Sequence, residues 1–88
     1  GKKMTDMIIY SKNNCPYCDR AKDLLKRKNI EFKEVMVDLD QNEYQIMLEK
    51  SKRRTVPQIF FKDKHIGGFD DLWALEQAGE LNKLILNG

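Results

Sequence analysis

Residues 7–20 read Met-Ile-Ile-Tyr-Ser-Lys-Asn-Asn-Cys-Pro-Tyr-Cys-Asp-Arg, and the reading of this stretch decides the fold. Met7-Ile8-Ile9-Tyr10 is a short apolar run that gives way to polar residues, the pattern of a buried first strand. Pro16 follows Cys15, and proline is favoured at the first helical position, where its missing N–H is not needed. A helix therefore begins at Pro16. Ala21, Leu24 and Leu25 share one of its faces, while Lys22, Asp23, Lys26 and Arg27 point outward. It ends near Asn29.

Working outward, Phe32–Leu39 carries Val35 and Val37 and reads as a second strand. Two strands joined by a helix of this length are best built as a parallel pair with a right-handed crossover. Gln41 or Asn42 opens a second helix with Tyr44, Met47 and Leu48 at helical spacing, ending near Ser51. Gln58–Phe61 and His65-Ile66 flank Lys62-Asp63-Lys64, a hairpin signal. Gly67-Gly68 breaks that strand. Asp70 or Asp71 then caps a helix through Glu76 that carries Leu72, Trp73 and Leu75. Gly79 separates it from a last short helix with Leu81, Leu84 and Ile85. The order βαβα, then ββα, predicts an α/β domain with a four-stranded mixed sheet flanked by helices.

With 88 residues, one domain is expected, spanning 4–88 with residues 1–3 as an added tail. Hydrophobic residues make up 41% and charged residues 34%, an ordinary globular balance. Sixteen basic against fourteen acidic side chains leave +2, too even for the clustered basic face of a nucleic-acid binder. No run approaches the roughly 18–20 apolar residues of a membrane span, and the start lacks the apolar core of a secretion signal. No nucleic-acid or membrane partner is expected. Two cysteines so close in sequence close too small a loop to staple a secreted domain, so a cytoplasmic location is expected.

Cys15 and Cys18 are the only cysteines. A structural zinc site wants four ligands, and one pair plus the single His65 falls short; no metal is expected. Free cysteines are often buried apolar fillers, but Pro16 and the polar Asn13-Asn14 approach favour an exposed turn. A Cys-x-x-Cys pair at a strand-to-helix junction is a thiol–disulfide motif. Cys15 would cap the helix, where unpaired N–H groups and the dipole favour a thiolate. Lys12 adds positive charge nearby. Cys18, one turn further on, can attack a mixed disulfide on Cys15. Cys15 is thus the candidate nucleophile and Cys18 the resolving thiol.

Three motifs in order, Cys15-Pro16-Tyr17-Cys18, Arg54-Thr55-Val56-Pro57-Gln58-Ile59-Phe60 and Ile66-Gly67-Gly68-Phe69-Asp70-Asp71-Leu72, make the chain resemble a glutaredoxin of the dithiol class, from Met7 to Leu86. The resemblance implies the thioredoxin-like fold and a cis Val56–Pro57 bond. It implies that Thr55-Val56-Pro57 offers the Val56 N–H and C=O to an extended peptide, as a strand edge does. It implies that Gly68, Phe69 and the helix N-terminus behind them hold the γ-glutamyl end of glutathione, with Asp70 and Asp71 near its ammonium group. Lys12 matches a lysine that attracts the glycine carboxylate, although an exposed lysine is usually only a solvated charge. Tyr17 would pack along the tripeptide. Tyr10, Trp73 and Phe60-Phe61 are expected in the core or at its edge.

Two positions depart from the family pattern. Tyr44 stands where relatives carry Gln or Arg for the glycine carboxylate, and the neighbouring Gln45 points about 100° away on the helix. Lys52 stands where glycine is common. The resemblance implies a monomeric, glutathione-dependent thiol–disulfide oxidoreductase with glutathione as co-substrate. It would act on disulfide-bonded or glutathionylated proteins, and ribonucleotide reductase and low-molecular-weight disulfides both remain open as substrates. Two rivals stand beside it. One is a dithiol electron donor reduced by thioredoxin reductase, against which the motifs at Thr55 and Gly68 count. The other is a dimeric iron–sulfur carrier ligated by Cys15 and glutathione, against which Pro16 counts.

Overall fold

The computed structural model describes residues 6–87; the tail and the outer limits expected at Met4 and Gly88 lie outside them. The elements run β1 (Met7–Ser11), α1 (Pro16–Arg27), β2 (Lys33–Met36), α2 (Gln41–Ser51), β3 (Gln58–Phe61), β4 (Lys64–Gly67), α3 (Phe69–Gln77) and α4 (Glu80–Asn87). The sheet order is β2-β1-β3-β4. β1 pairs with β2 in parallel, and with β3 antiparallel, as β3 does with β4. This is the mixed four-stranded sheet of the thioredoxin-like class.

Side chains alternate across the two central strands with the period of two that a strand imposes. Met7, Ile9, Ile59 and Phe61 face one side, where they meet Ala21, Leu24 and Leu25 of α1, Leu72 of α3 and Leu81 of α4. Tyr10 and Phe60 face the other, against Val37 and Met47 of α2. Each fully buried side chain of this size stabilises the fold by roughly 1.5–3 kcal/mol relative to exposure. Three helices therefore pack on one face and one on the other. Both outer strands are only four residues long and open on a lysine, Lys33 or Lys64. No helix among the described residues is long and apolar enough to cross a membrane.

Two details, the bounds of β2 and of the hairpin turn, differ from the sequence reading, and the caps of α2 add to it. β2 stops at Met36, because the chain turns at Val37–Leu39 and Asp38 accepts hydrogen bonds from the Asn13 backbone and side chain, both at 3.1 Å. α2 is capped by Asp40, whose carboxylate accepts from the Asn42 and Glu43 N–H groups. The hairpin turn is Lys62-Asp63 alone, with Lys62 at φ 55, and Lys64 already belongs to β4. Lys52 ends α2 at φ 62. That left-handed conformation explains why glycine suits the position.

Candidate active site

Where β1 ends, Ser11 is fully buried and its hydroxyl donates to Glu34 at 2.6 Å. Lys22 of α1 closes on the same carboxylate at 2.7 Å. Hydrogen bonding from Lys22, then from Ser11, holds Glu34 below the usual carboxylate range. These bonds tie α1 to the sheet directly behind the Cys15 turn. Asn14, at φ 56, turns the chain, and Cys15 becomes the N-cap of α1 with Pro16 following it.

The Cys15 sulfur accepts the Cys18 N–H at 3.1 Å, so the cap expected of Cys15 is made by sulfur itself. The two cysteines form a disulfide, with their Cα atoms 5.2 Å apart. Asn13, Asn14, Pro16 and Tyr17 are exposed, as the turn reading required. The sulfur-bearing residues are not: Cys15 is 7% exposed and Cys18 0%. Any partner therefore has access only to Cys15. The bond between the two sulfurs excludes two independent apolar fillers.

The Val56–Pro57 peptide bond is cis, and the Val56 carbonyl oxygen lies 3.9 Å from the Cys15 sulfur. Behind this bend, Gln58 is 1% exposed and spends both ends of its amide. Its Nε2 donates to the Thr55 carbonyl at 3.0 Å and the Thr55 hydroxyl at 3.3 Å. Its Oε1 lies 2.7 Å from His65 Nε2. With the amide so oriented, His65 carries its proton on Nε2. Burial, then the neighbouring Arg53 charge, pushes the His65 pKa down, so the neutral ring is favoured.

At the third motif, α3 begins at Phe69 with Gly68 as N-cap, so neither Asp70 nor Asp71 is the cap residue expected. Asp71 works from inside the first turn, accepting the Gly68 N–H at 3.0 Å. Arg53 pairs with the same carboxylate at 3.3 Å. The Gly68 hydrogen bond, aided by Arg53, lowers the Asp71 pKa. Gly67 sits at φ +121, and a Cβ there would overlap the Asp71 carboxylate.

Two clefts share Thr55 and Val56, the residue whose carbonyl lies near the Cys15 sulfur. One, of about 300 Å³, brings together Tyr17, Pro57, Gly68, Phe69, Asp70 and Asp71. The other, of about 520 Å³, is lined by Lys12, Tyr44, Arg54 and Asp38 among others. Of the candidate site residues, Lys12, Tyr17, Thr55, Val56, Pro57, Gly68, Phe69, Asp70 and Asp71 lie in one of these clefts, and Cys15 and Cys18 form the disulfide. Tyr44 lines the second cleft, and Gln45 does not. Arg53, Arg54 and Gln58 were given no role of their own, and His65 was weighed only as a metal ligand. The Lys52-Arg53-Arg54 run beside Thr55 was the available signal for the two arginines. Tyr10, Phe60 and Phe61 are buried as expected, but Trp73 is not in the core: it is 46% exposed.

A recessed disulfide at the N-terminus of a helix, set against a cis-proline bend on a thioredoxin-like sheet, defines a thiol–disulfide oxidoreductase. The glutaredoxin family model matches residues 7–66. Glutaredoxin 3 of Escherichia coli strain K12 is 46% identical over 82 residues, covering 93% of this chain and 99% of that protein. The solution structure of glutaredoxin from Brucella melitensis superposes with a TM-score of 0.80 at 49% identity, over 92% of this chain and 88% of that one. A buckwheat glutaredoxin–glutathione complex superposes at 0.85 with 27% identity, over 93% and 77%. The chain belongs to the glutaredoxin family.

Proposed function

We propose that the protein is a glutathione-dependent reductase of protein disulfides and glutathione mixed disulfides, working as a monomer in a reducing cytoplasm. The observation that carries this reading is a pair of clefts that meet at Val56, whose carbonyl oxygen lies 3.9 Å from the Cys15 sulfur. One offers the N-terminus of α3, two aspartates and Arg53; the other offers Lys12 and Arg54 beside Asp38. A γ-glutamyl group carries an ammonium and a carboxylate, suited to the first, and a glycine carboxylate suits the second. The solved glutaredoxin–glutathione complex of buckwheat supports the choice of tripeptide.

The steps follow from what each sulfur can reach. The Cys15 thiolate, stabilised by the Cys18 N–H and the helix N-terminus, attacks one sulfur of a client disulfide and expels the other as thiolate. The Cys18 thiolate then attacks the Cys15 sulfur, releases the second client thiolate and leaves the Cys15–Cys18 disulfide. One glutathione thiolate reopens that bond at Cys15. A second takes the first away as oxidised glutathione. Family potentials of roughly −200 to −230 mV lie within reach of the cytosolic glutathione pool.

The test separates the two cysteines. A protein disulfide must be cleared by a neighbouring thiol at high effective concentration, whereas a second glutathione can clear a glutathionylated Cys15. Cys18→Ser is expected to keep activity on a glutathionylated peptide and lose most reduction of an intramolecular protein disulfide. Cys15→Ser is expected to lose both. The assays use glutathione with glutathione reductase, and thioredoxin reductase alone as the control. Turnover with thioredoxin reductase alone, or loss of both activities in Cys18→Ser, would overturn the reading.

A further inference from the structure

Three aromatic rings run away from the redox disulfide across the α1–α3 surface. Tyr17, between the two cysteines, is 54% exposed, and its ring centroid lies 6.2 Å from that of half-buried Phe69. Phe69 stacks on Trp73 at 6.2 Å with 24° between the planes. The Arg20 guanidinium lies 5.3 Å over the Tyr17 ring, closing the strip at the cysteine end with a cation. Exposed aromatic rings in contact with one another leave a good deal of apolar surface in water, and such contiguous surface marks interaction sites.

Tyr17 and Phe69 line the smaller cleft beside Cys15, and Trp73 does not. A tripeptide seated there ends short of Trp73. A longer chain joined to Cys15 does not, and the chain that the reaction brings to Cys15 is the client's own. An extended chain advances about 3.3 Å per residue, so each ring-to-ring step spans about two residues. Counted from Tyr17, two residues along from Cys15, these steps bring Trp73 to the client about three or four residues from its reacting cysteine.

We infer that Tyr17, Phe69 and Trp73 form a docking strip for polypeptide clients, selecting those with a large apolar side chain three or four residues from the reacting cysteine. Trp73 is the specificity-determining end of the strip. The inference deepens the proposed function in its client half: it says which protein disulfides are favoured, and it gives Trp73 a part that glutathione does not call on. Aromatic pairing at such a position favours one client over another by a modest factor, which suits a reductase that must release its product.

The test uses Cys18→Ser, in which a mixed disulfide on Cys15 is not resolved from within. Two single-cysteine peptides, alike except for Phe or Ser four residues from the cysteine, exchange against each other for Cys15. The exchange conserves thiols: one peptide thiolate displaces the other. The Phe peptide is expected to win by about three- to tenfold, the size of an aromatic pair. In Cys18→Ser/Trp73→Ser the ratio is expected to fall to about one. Trp73 is the only tryptophan, so its emission should move to shorter wavelength with the Phe peptide and not with the Ser peptide. Equal affinity of the two peptides, a preference that survives Trp73→Ser, or an unmoved emission would each overturn the inference. The emission result alone decides if the double variant does not fold. Because the two peptides compete with one another, the outcome is the same whether or not glutathione is the reductant, so a failure here is distinct from a failure of the glutathione assay.

Discussion

At one end of the groove beside Cys15, the Gly68 corner is held by a closed set of bonds: Gly68 N–H to Asp71, Asp71 to Arg53, and the buried Gln58 between Thr55 and His65. At the other end, Lys12 and Arg54 stand exposed around a wider cleft, with half-buried Tyr44 as its firmer wall. The first end is ordered before any ligand arrives. The second must order long side chains when a ligand arrives, and that cost subtracts from affinity. Under the proposed function, recognition would be divided between a fixed cradle for one end of a ligand and adaptable charge for the other.

The division predicts unequal responses to substitution. Gly67→Ala should have the largest effect, because the new Cβ meets the Asp71 carboxylate and the backbone sits at φ +121. A loss of about 2 kcal/mol is expected from such strain, lowering Tm by roughly 8–16 °C in a domain of this size. Thermal unfolding of the oxidised protein measures it. An unchanged Tm would show that the corner yields and is not a fixed cradle.

Asp71→Asn should come next, with a pH signature. The folded protein lowers the Asp71 pKa below its ordinary 3.8, chiefly through the Gly68 N–H. That stabilisation is fully present above the ordinary value and is lost as pH falls through the lowered one. Wild type should therefore exceed Asp71→Asn in stability at neutral pH, with the gap closing in acid below pH 3.8. Denaturant midpoints at a series of pH values would reveal it. A gap constant with pH would remove the carboxylate's charge from the account of the corner.

Lys12→Ala should have the smallest effect. An exposed charge contact contributes about 0–1 kcal/mol, so the KM for glutathione should rise by at most about fivefold. The rise should shrink between low salt and 0.5 M salt through screening, with Tm unchanged. A larger, salt-independent rise would place Lys12 in a preformed site and erase the contrast between the two ends.

Much of this architecture was legible in the sequence because its signals are local. Pro16 marks the start of α1, and the apolar run Met7–Tyr10 marks the buried first strand. The three motifs bring the pocket together through the family resemblance. What escaped depends on distant partners. The cap of α3 went to Gly68, a residue with no side chain to advertise the role, because Asp71 supplies the acceptor from three residues on. Arg53 finds Asp71 across eighteen residues, and Asp38 ends β2 by bonding to Asn13 across twenty-five. Trp73 sits one residue from buried Leu72, so the helix turns it about 100° outward. A run of apolar letters does not show that rotation.

The two outer strands carry a consequence for how the molecule behaves in company. An open sheet edge is a template on which another chain can add a strand, and a long, flat, apolar edge invites aggregation. β2 and β4 are four residues each and begin with Lys33 and Lys64, so each edge is short and starts on a charge. Under the proposed function the protein would meet disulfide-crosslinked clients, and any that are partly unfolded offer strands ready to pair with an exposed edge. Brief, lysine-marked borders would let it handle such chains at its sulfur without being recruited into their aggregates.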